Sequence, residues 1–242
     1  MKQRLITAFF GFAVLIPVLI FSDTLALPVA VALFSALGVY EMLGCVGVRK
    51  HLEITIPSML IAAAGPVAVR YLTVLTDRLS YNLAVISAVS FIYMFYLMCV
   101  TVVSKGKKNI LDTALVFMTT VYITIGFSSI VMIRDLPNGQ FSVYLVFIGA
   151  WVTDGAAYFV GRAMGKHKLI PDVSPKKTVE GAVGGVIFCG LSFALYGLIV
   201  GKFSSSTTHY IEIIVAGLII AVISEFGDLI ASLIKRHYGI KD

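Results

Sequence analysis

Eight predominantly apolar stretches follow one another with short joints: roughly 5–22, 25–43, 54–75, 81–103, 110–133, 141–161, 179–201 and 210–234. A helix of about 20 residues crosses the hydrocarbon core of a bilayer. In that core every backbone N–H and C=O must be satisfied within the protein, which favours helices. The pattern predicts an all-α, polytopic membrane helix bundle of about eight transmembrane helices, with no soluble domain. Composition excludes an ordinary soluble fold. Hydrophobic residues are 59% of the 242 and charged residues only 13%, roughly half the charged share of a soluble domain. The first stretch follows Lys2 and Arg4, as a signal peptide would. No small-residue cleavage site follows it and another apolar stretch begins almost at once, so it is read as a retained span.

The charges between the spans set an orientation. With the N-terminus in the cytoplasm, the inner segments hold Lys2, Arg4, Arg49, Lys50, Lys105, Lys107, Lys108, Arg162, Lys166, Lys168, Lys176, Lys177, Lys235, Arg236 and Lys241. The outer segments hold only Arg78, Arg134 and Lys202. Cytoplasmic loops of membrane proteins carry just such an excess of Lys and Arg. Arg70, near the outer end of the third span, is placed to snorkel to the interface. Asp23, Asp77 and Asp135 fall in outer joints, where a charge is ordinarily solvated.

The longest run that a bilayer could not hold is Gly161 to Gly185, GRAMGKHKLIPDVSPKKTVEGAVGG, with five of the nineteen basic residues. Three carboxylates, Asp154, Glu225 and Asp228, lie inside apolar stretches close to it in depth. An ionisable group there is costly and usually faces protein or a water-filled cavity. Glu225, Asp228, Ser232 and Lys235 are spaced three, four and three, one face of a helix; Asp154, Tyr158 and Arg162 are spaced four and four, one face of another. Asp228 precedes Lys235 by seven residues and Asp154 precedes Arg162 by eight, so both carboxylates lie roughly 10–12 Å in from a cation.

Buried carboxylates beside a basic, glycine-punctuated loop suit phosphoryl or nucleotidyl transfer. Mg²⁺ is commonly held by one or two carboxylates plus substrate phosphates, and Lys and Arg neutralise the remaining phosphate charge. Plainer readings stand beside this one. Gly161 with Gly165, and Gly181 with Gly185, have the spacing for close helix packing. The loop lysines could anchor on anionic headgroups, and Asp154 and Asp228 could be polar contacts within the bundle. His51, His167, His209 and His237 have no ligand spacing. Cys45, Cys99 and Cys189 form no CxxC pair and read as small packing residues. GRAMGKHK lacks the spacing of a P-loop.

Two runs go further. Asp154-Gly-Ala-Ala-Tyr-Phe-Val-Gly-Arg162, then Gly165-Lys166-His167, then Ser174-Pro-Lys-Lys-Thr-Val-Glu-Gly181 resemble the phosphatidate cytidylyltransferases (CDP-diacylglycerol synthases). So does Gly227-Asp228-Leu229, continuing through Ser232-Leu-Ile-Lys-Arg236 to Gly239-Ile-Lys-Asp242. The resemblance is strongest over 150–242. It implies that CTP and phosphatidic acid give CDP-diacylglycerol and pyrophosphate with Mg²⁺, in a bacterial plasma membrane with the site cytoplasmic. Residues 1–140 would then be N-terminal transmembrane helices and 141–242 the catalytic region.

By the same resemblance Asp228, Asp154 and Glu225 are the metal ligands, and Asp228, Asp154 and Lys177 the catalytic set. Arg162, Lys166, Ser174, Lys176, Lys177, Lys235 and Arg236 would hold phosphates. Membrane lipids and a second copy of the chain, as a homodimer, are the expected partners, and no nucleic acid is. The family signature continues past the Lys-Asp pair into a run HGGxxDRxD with a further carboxylate. The expectation is therefore that the 242-residue chain alone is weak or inactive, which a CTP and phosphatidic acid assay checks against an extended chain. The alternatives are a CTP-dependent polyprenol or phytol kinase and, from another class, an ion-coupled transporter.

Overall fold

The computed structural model describes residues 11, 13–75, 79–105, 108–202 and 210–240. The expected first span, 5–22, lies largely outside these residues; helix α1 is described over 13–20. Lys2, Arg4, Asp77, Arg78, Lys107, His209, Lys241 and Asp242 also lie outside them. The remaining helices are α2 (Ala26–Val46), α3 (Leu52–Leu75), α4 (Leu79–Val103), α5 (Ile110–Asp135), α6 (Gly139–Met164), α7 (Val179–Val200) and α8 (Tyr210–His237). Seven of them, α2 to α8, are long and apolar enough to cross a membrane. Their outward residues are large and apolar, including Phe95, Val102, Phe159, Ile223 and Phe226, as a lipid-facing surface requires. The protein is an all-α integral membrane protein. Its one sheet among the described residues is a two-stranded hairpin, β1 (Lys168–Ile170) and β2 (Ser174–Thr178), inside the basic loop.

The chain divides into two compact units, Met1–Gln140 and Phe141–Asp242. In the first, α2, α3 and α5 pack on one another and α4 lies on α5 and α3. Gly47 ends α2 in the left-handed region at φ 82°, a conformation glycine adopts at no steric cost. α3 contains Pro57, which has no N–H for the carbonyl four residues earlier. That carbonyl belongs to Glu53, and the Tyr96 hydroxyl donates to it at 2.8 Å. Tyr93, only 3% exposed, joins Ser58 at 2.7 Å and Thr120 at 3.2 Å, linking α4, α3 and α5 through hydroxyls.

Arg70, expected to snorkel to the interface, is engaged within the protein. Its guanidinium donates to the backbone carbonyls of Ser22 at 2.8 Å and Asp23 at 3.2 Å, and Nε lies 3.2 Å from Asp135 Oδ2. Arg134 Nε adds a bond to Ser22 Oγ at 2.7 Å. Asp135 is likewise engaged, where a solvated charge was expected. The planar fork of arginine can serve several acceptors at once, which lets one side chain tie α3 to α5 and to the turn before α2. Arg70→Met is expected to destabilise the protein by about 2 kcal/mol, the scale of lost hydrogen bonds to charged groups. Arg70→Lys should restore part of this in thermal unfolding of the purified protein. Equal melting temperatures for Arg70→Met and wild type would show that the clamp contributes nothing.

In the second unit, Cys189, Phe193 and Ala221 form a fully buried cluster of α7 and α8, with Leu145, Ile148, Val186, Ile213 and Ile220 against it. Cys189 is thus the packing residue its apolar setting suggests. The approach of α6 to α7 is closest near the hairpin. A Cβ on Gly181 would stand 2.7 Å from the Ala157 carbonyl oxygen and 3.2 Å from Gly161 Cα. One on Gly185 would stand 3.0 Å from the Thr153 carbonyl oxygen. The glycines therefore do serve helix packing, by letting two backbones touch.

Candidate functional site

The basic loop is a folded element. Strands β1 and β2 pair antiparallel, Lys168 opposite Thr178 and Ile170 opposite Ser174. The base is closed by Val179 N donating to the His167 carbonyl at 2.9 Å. Glu180 accepts from the backbone N–H of Lys166 at 3.1 Å and of His167 at 3.2 Å, and lies 2.6 Å from His167 Nδ1. Lys168 Nζ donates to the Pro175 carbonyl at 2.7 Å. β2 runs straight into α7, where Thr178 is the N-cap and its Oγ1 accepts from Gly181 N at 3.2 Å. Ser, Thr, Asn and Asp favour such positions because they satisfy an orphan helix donor.

Successive residues of a strand point to opposite faces. Lys176 is exposed and Lys177 half-buried, turned toward α8. There Glu225 and Asp228, three residues apart on one helix face, receive it. Lys177 Nζ lies 2.5 Å from Glu225 Oε2 and 3.0 Å from Asp228 Oδ2. Burial opposes the Lys177 charge, but the hydrogen bonds and charges of Glu225 and Asp228 outweigh it and hold its pKa above the ordinary lysine value. The lysine is therefore an ammonium at neutral pH. Glu225 is the deeper carboxylate, 6% exposed as a residue; its Oε1 is buried without a hydrogen-bond partner. The Asp228 side chain is 56% exposed.

α6 supplies the facing wall. Asp154 lies within electrostatic reach of Asp228, Glu225 and Lys177, and Arg162 donates to the Tyr158 hydroxyl at 3.1 Å. Together these elements line a cavity of about 340 Å³. Of the ten sequence candidates, Asp154, Arg162, Lys176, Lys177, Glu225 and Asp228 line it. Lys166, Ser174, Lys235 and Arg236 do not. Lys166 is an exposed residue at the foot of the hairpin, Ser174 begins β2, and Lys235 and Arg236 lie exposed in the last turn of α8. Arg236 Nη1 reaches the Ile240 carbonyl at 3.5 Å. Sequence reasoning assigned no role to Thr178, which lines the cavity, or to Glu180, which holds the hairpin. Their signal was the hydroxyl and carboxylate flanking a helix start.

A second cavity, of about 300 Å³, adjoins the first and shares Ala182 and Glu225 with it. Its other walls are apolar, from Leu169 and Ile170 of the hairpin, Val183 and Ile187 of α7, and Val222 and Phe226 of α8. Among the described residues no three His, Cys, Asp or Glu side chains are grouped closely enough to hold a metal by themselves. Glu225 and Asp228 do converge on a single cation, the Lys177 ammonium. A carboxylate pair suits Mg²⁺, which takes oxygen ligands and leaves positions for phosphates and water, and the unpaired Glu225 Oε1 is a spare oxygen of the right kind.

Fold and site together define a polytopic helical membrane protein with a pocket of mixed charge. The sequence model of the cytidylyltransferase family matches residues 2–242, and the chain belongs to that family. It is similar to the phosphatidate cytidylyltransferase of Staphylococcus haemolyticus, at 31% identity over the whole chain and 88% of that protein. The phosphatidate cytidylyltransferase of Staphylococcus aureus strain COL is 32% identical with the same coverage. That of Staphylococcus saprophyticus is 39% identical over 64% of this chain and 56% of its own length.

Proposed function

We propose that this enzyme transfers the cytidylyl group of CTP to phosphatidic acid, giving CDP-diacylglycerol and pyrophosphate for phospholipid biosynthesis. The observation that carries this is one cavity where Asp154, Glu225 and Asp228 meet Arg162, Lys176 and Lys177, beside an apolar cavity that shares Glu225. A charged pocket joined to an apolar one suits a substrate with a phosphate at one end and hydrocarbon at the other. The family match gives the kinase and transporter alternatives no support.

In the reaction an oxygen of the lipid phosphate attacks the α-phosphorus of CTP. A new phosphoanhydride bond forms, the bond to the β-phosphate bridging oxygen breaks, and pyrophosphate leaves with the electron pair. No protein nucleophile is needed, because the lipid phosphate is already an anion. Arg162 and Lys176 hold phosphate oxygens and spread the charge that develops. Tyr158 braces Arg162 through its hydroxyl. Glu225 and Asp228 would hold Mg²⁺, with Asp154 facing them across the cavity; bound there, Mg²⁺ supplies charge neutralisation at the phosphates. The excess of Lys and Arg in the hairpin supports a site at the cytoplasmic end of a bacterial plasma-membrane protein. A homodimer belongs to the same proposal on the resemblance alone.

Labelled CTP tests the reaction. With phosphatidic acid and Mg²⁺, label in the α-phosphate is expected in the lipid fraction and label in the γ-phosphate in released pyrophosphate. Lipid carrying γ-label would identify a kinase and overturn the assignment.

A further inference from the structure

Lys177 sits where a metal would be expected to sit. Glu225 Oε2 and Asp228 Oδ2 are the two carboxylate oxygens that converge, and the Lys177 ammonium holds both, at 2.5 Å and 3.0 Å. The pairing has a physical reason. Glu225 is almost wholly buried, and a buried carboxylate is costly unless a cation accompanies it. Among the described residues, Lys177 is the one cation the structure places on it. A divalent cation at contact distance from those same oxygens would repel the ammonium, and that repulsion favours the departure of one of the two. The lysine is also well placed to move. It stands on an edge-exposed hairpin strand with four side-chain torsions, and Arg162 and Lys176 line the same cavity without touching the carboxylates.

We infer that Lys177 is a tethered counter-ion: it holds Glu225 and Asp228 in the absence of a divalent cation, is displaced when one binds, and then turns to the nucleotide phosphates. This rests on the proposed cytidylyl-transfer site and adds to it a coupling. By displacing Lys177 from the carboxylates, a divalent cation frees a charge for the nucleotide, and a phosphate that draws Lys177 away favours the cation. The two affinities must then rise together by the same factor.

The purified full chain in detergent tests this with Mg²⁺ alone, without nucleotide. Half-saturation is read from the shift in thermal unfolding. Lys177→Gln is expected to bind Mg²⁺ at a concentration at least tenfold lower than wild type. Lys176→Gln removes the same charge one residue away and is expected to stay within threefold, which separates direct competition from a general field. A second measurement uses the unaltered protein. Amine-reactive footprinting read by mass spectrometry should show Lys177 labelling rising at least threefold on adding Mg²⁺, while Lys166 does not change. Wild type that saturates with Mg²⁺ while Lys177→Gln binds no tighter, or Lys177 labelling that does not rise, overturns the counter-ion and leaves the metal site standing. Wild type that never responds to Mg²⁺ overturns the metal site and the counter-ion with it.

Discussion

Asp228→Asn is expected to lower the rate of cytidylyl transfer about a thousandfold, or about 4 kcal/mol of transition-state stabilisation. The substitution keeps the shape of the side chain and removes its charge. Asp228 is more than half exposed, and Lys177 keeps Glu225 as a partner at 2.5 Å. Folding should therefore be little affected, within about 0.5 kcal/mol as for other exposed substitutions. The loss falls on the chemistry, because a neutral amide is a poor ligand for Mg²⁺. The measurement is steady-state turnover with saturating CTP and phosphatidic acid in mixed micelles, alongside a thermal melt. A variant that keeps more than a tenth of the wild-type rate would remove Asp228 from the proposed metal site.

Gly181→Ala should act on stability first. Adding a Cβ in a helix ordinarily helps, by about 0.5–1 kcal/mol, because glycine loses more backbone entropy on folding. Here the new carbon would stand 2.7 Å from the Ala157 carbonyl oxygen, a backbone atom that cannot swing aside. Overpacking of this kind costs about 1–3 kcal/mol, so the clash wins and α6 and α7 must separate. Gly155→Ala, on the facing helix α6, is the comparison. A Cβ there meets nothing within 4 Å, and the propensity gain should appear undiminished. The expected result is a lower melting temperature for Gly181→Ala and an equal or higher one for Gly155→Ala. The reverse order would mean that the contact between the two backbones is not tight. Separation of the helices would also carry Lys177, four residues before Gly181, away from α8, so activity should fall with stability.

The helices were readable because a bilayer imposes one length and one polarity. The apolar runs predicted from 25 onward correspond to α2 through α8, with ends displaced by a few residues. Asp154, Glu225 and Asp228 were readable for the same reason, since a charge within an apolar run has few explanations. Helical spacing placed Asp154 and Asp228 at like depth, and both line one cavity. The hairpin was not readable. Its strands are three and five residues long, and Ser-Pro-Lys-Lys-Thr lacks the apolar–polar alternation that marks a strand and has only Thr178 as a β-branched residue. Without the strand, local pattern did not separate Lys176 from Lys177; only the resemblance put Lys177 in the catalytic set. Nor could local pattern show that Arg70 meets Asp135, 65 residues further on. Such a pair is set by how helices pack, and each partner alone looks like an ordinary charge near a membrane surface.

The direct passage from β2 into α7 has a mechanical consequence. Thr178 caps the helix, so Lys177 is fastened to the end of a rod whose axial position follows the thickness of the surrounding lipid. An axial slip of α7 by one residue, about 1.5 Å, is half the 3.0 Å that now separates Nζ from Asp228. Helices respond to a mismatch in thickness by tilting or shifting. The hairpin thus offers a route by which bilayer thickness could reach the pocket, and turnover compared across lipids of different acyl length tests it.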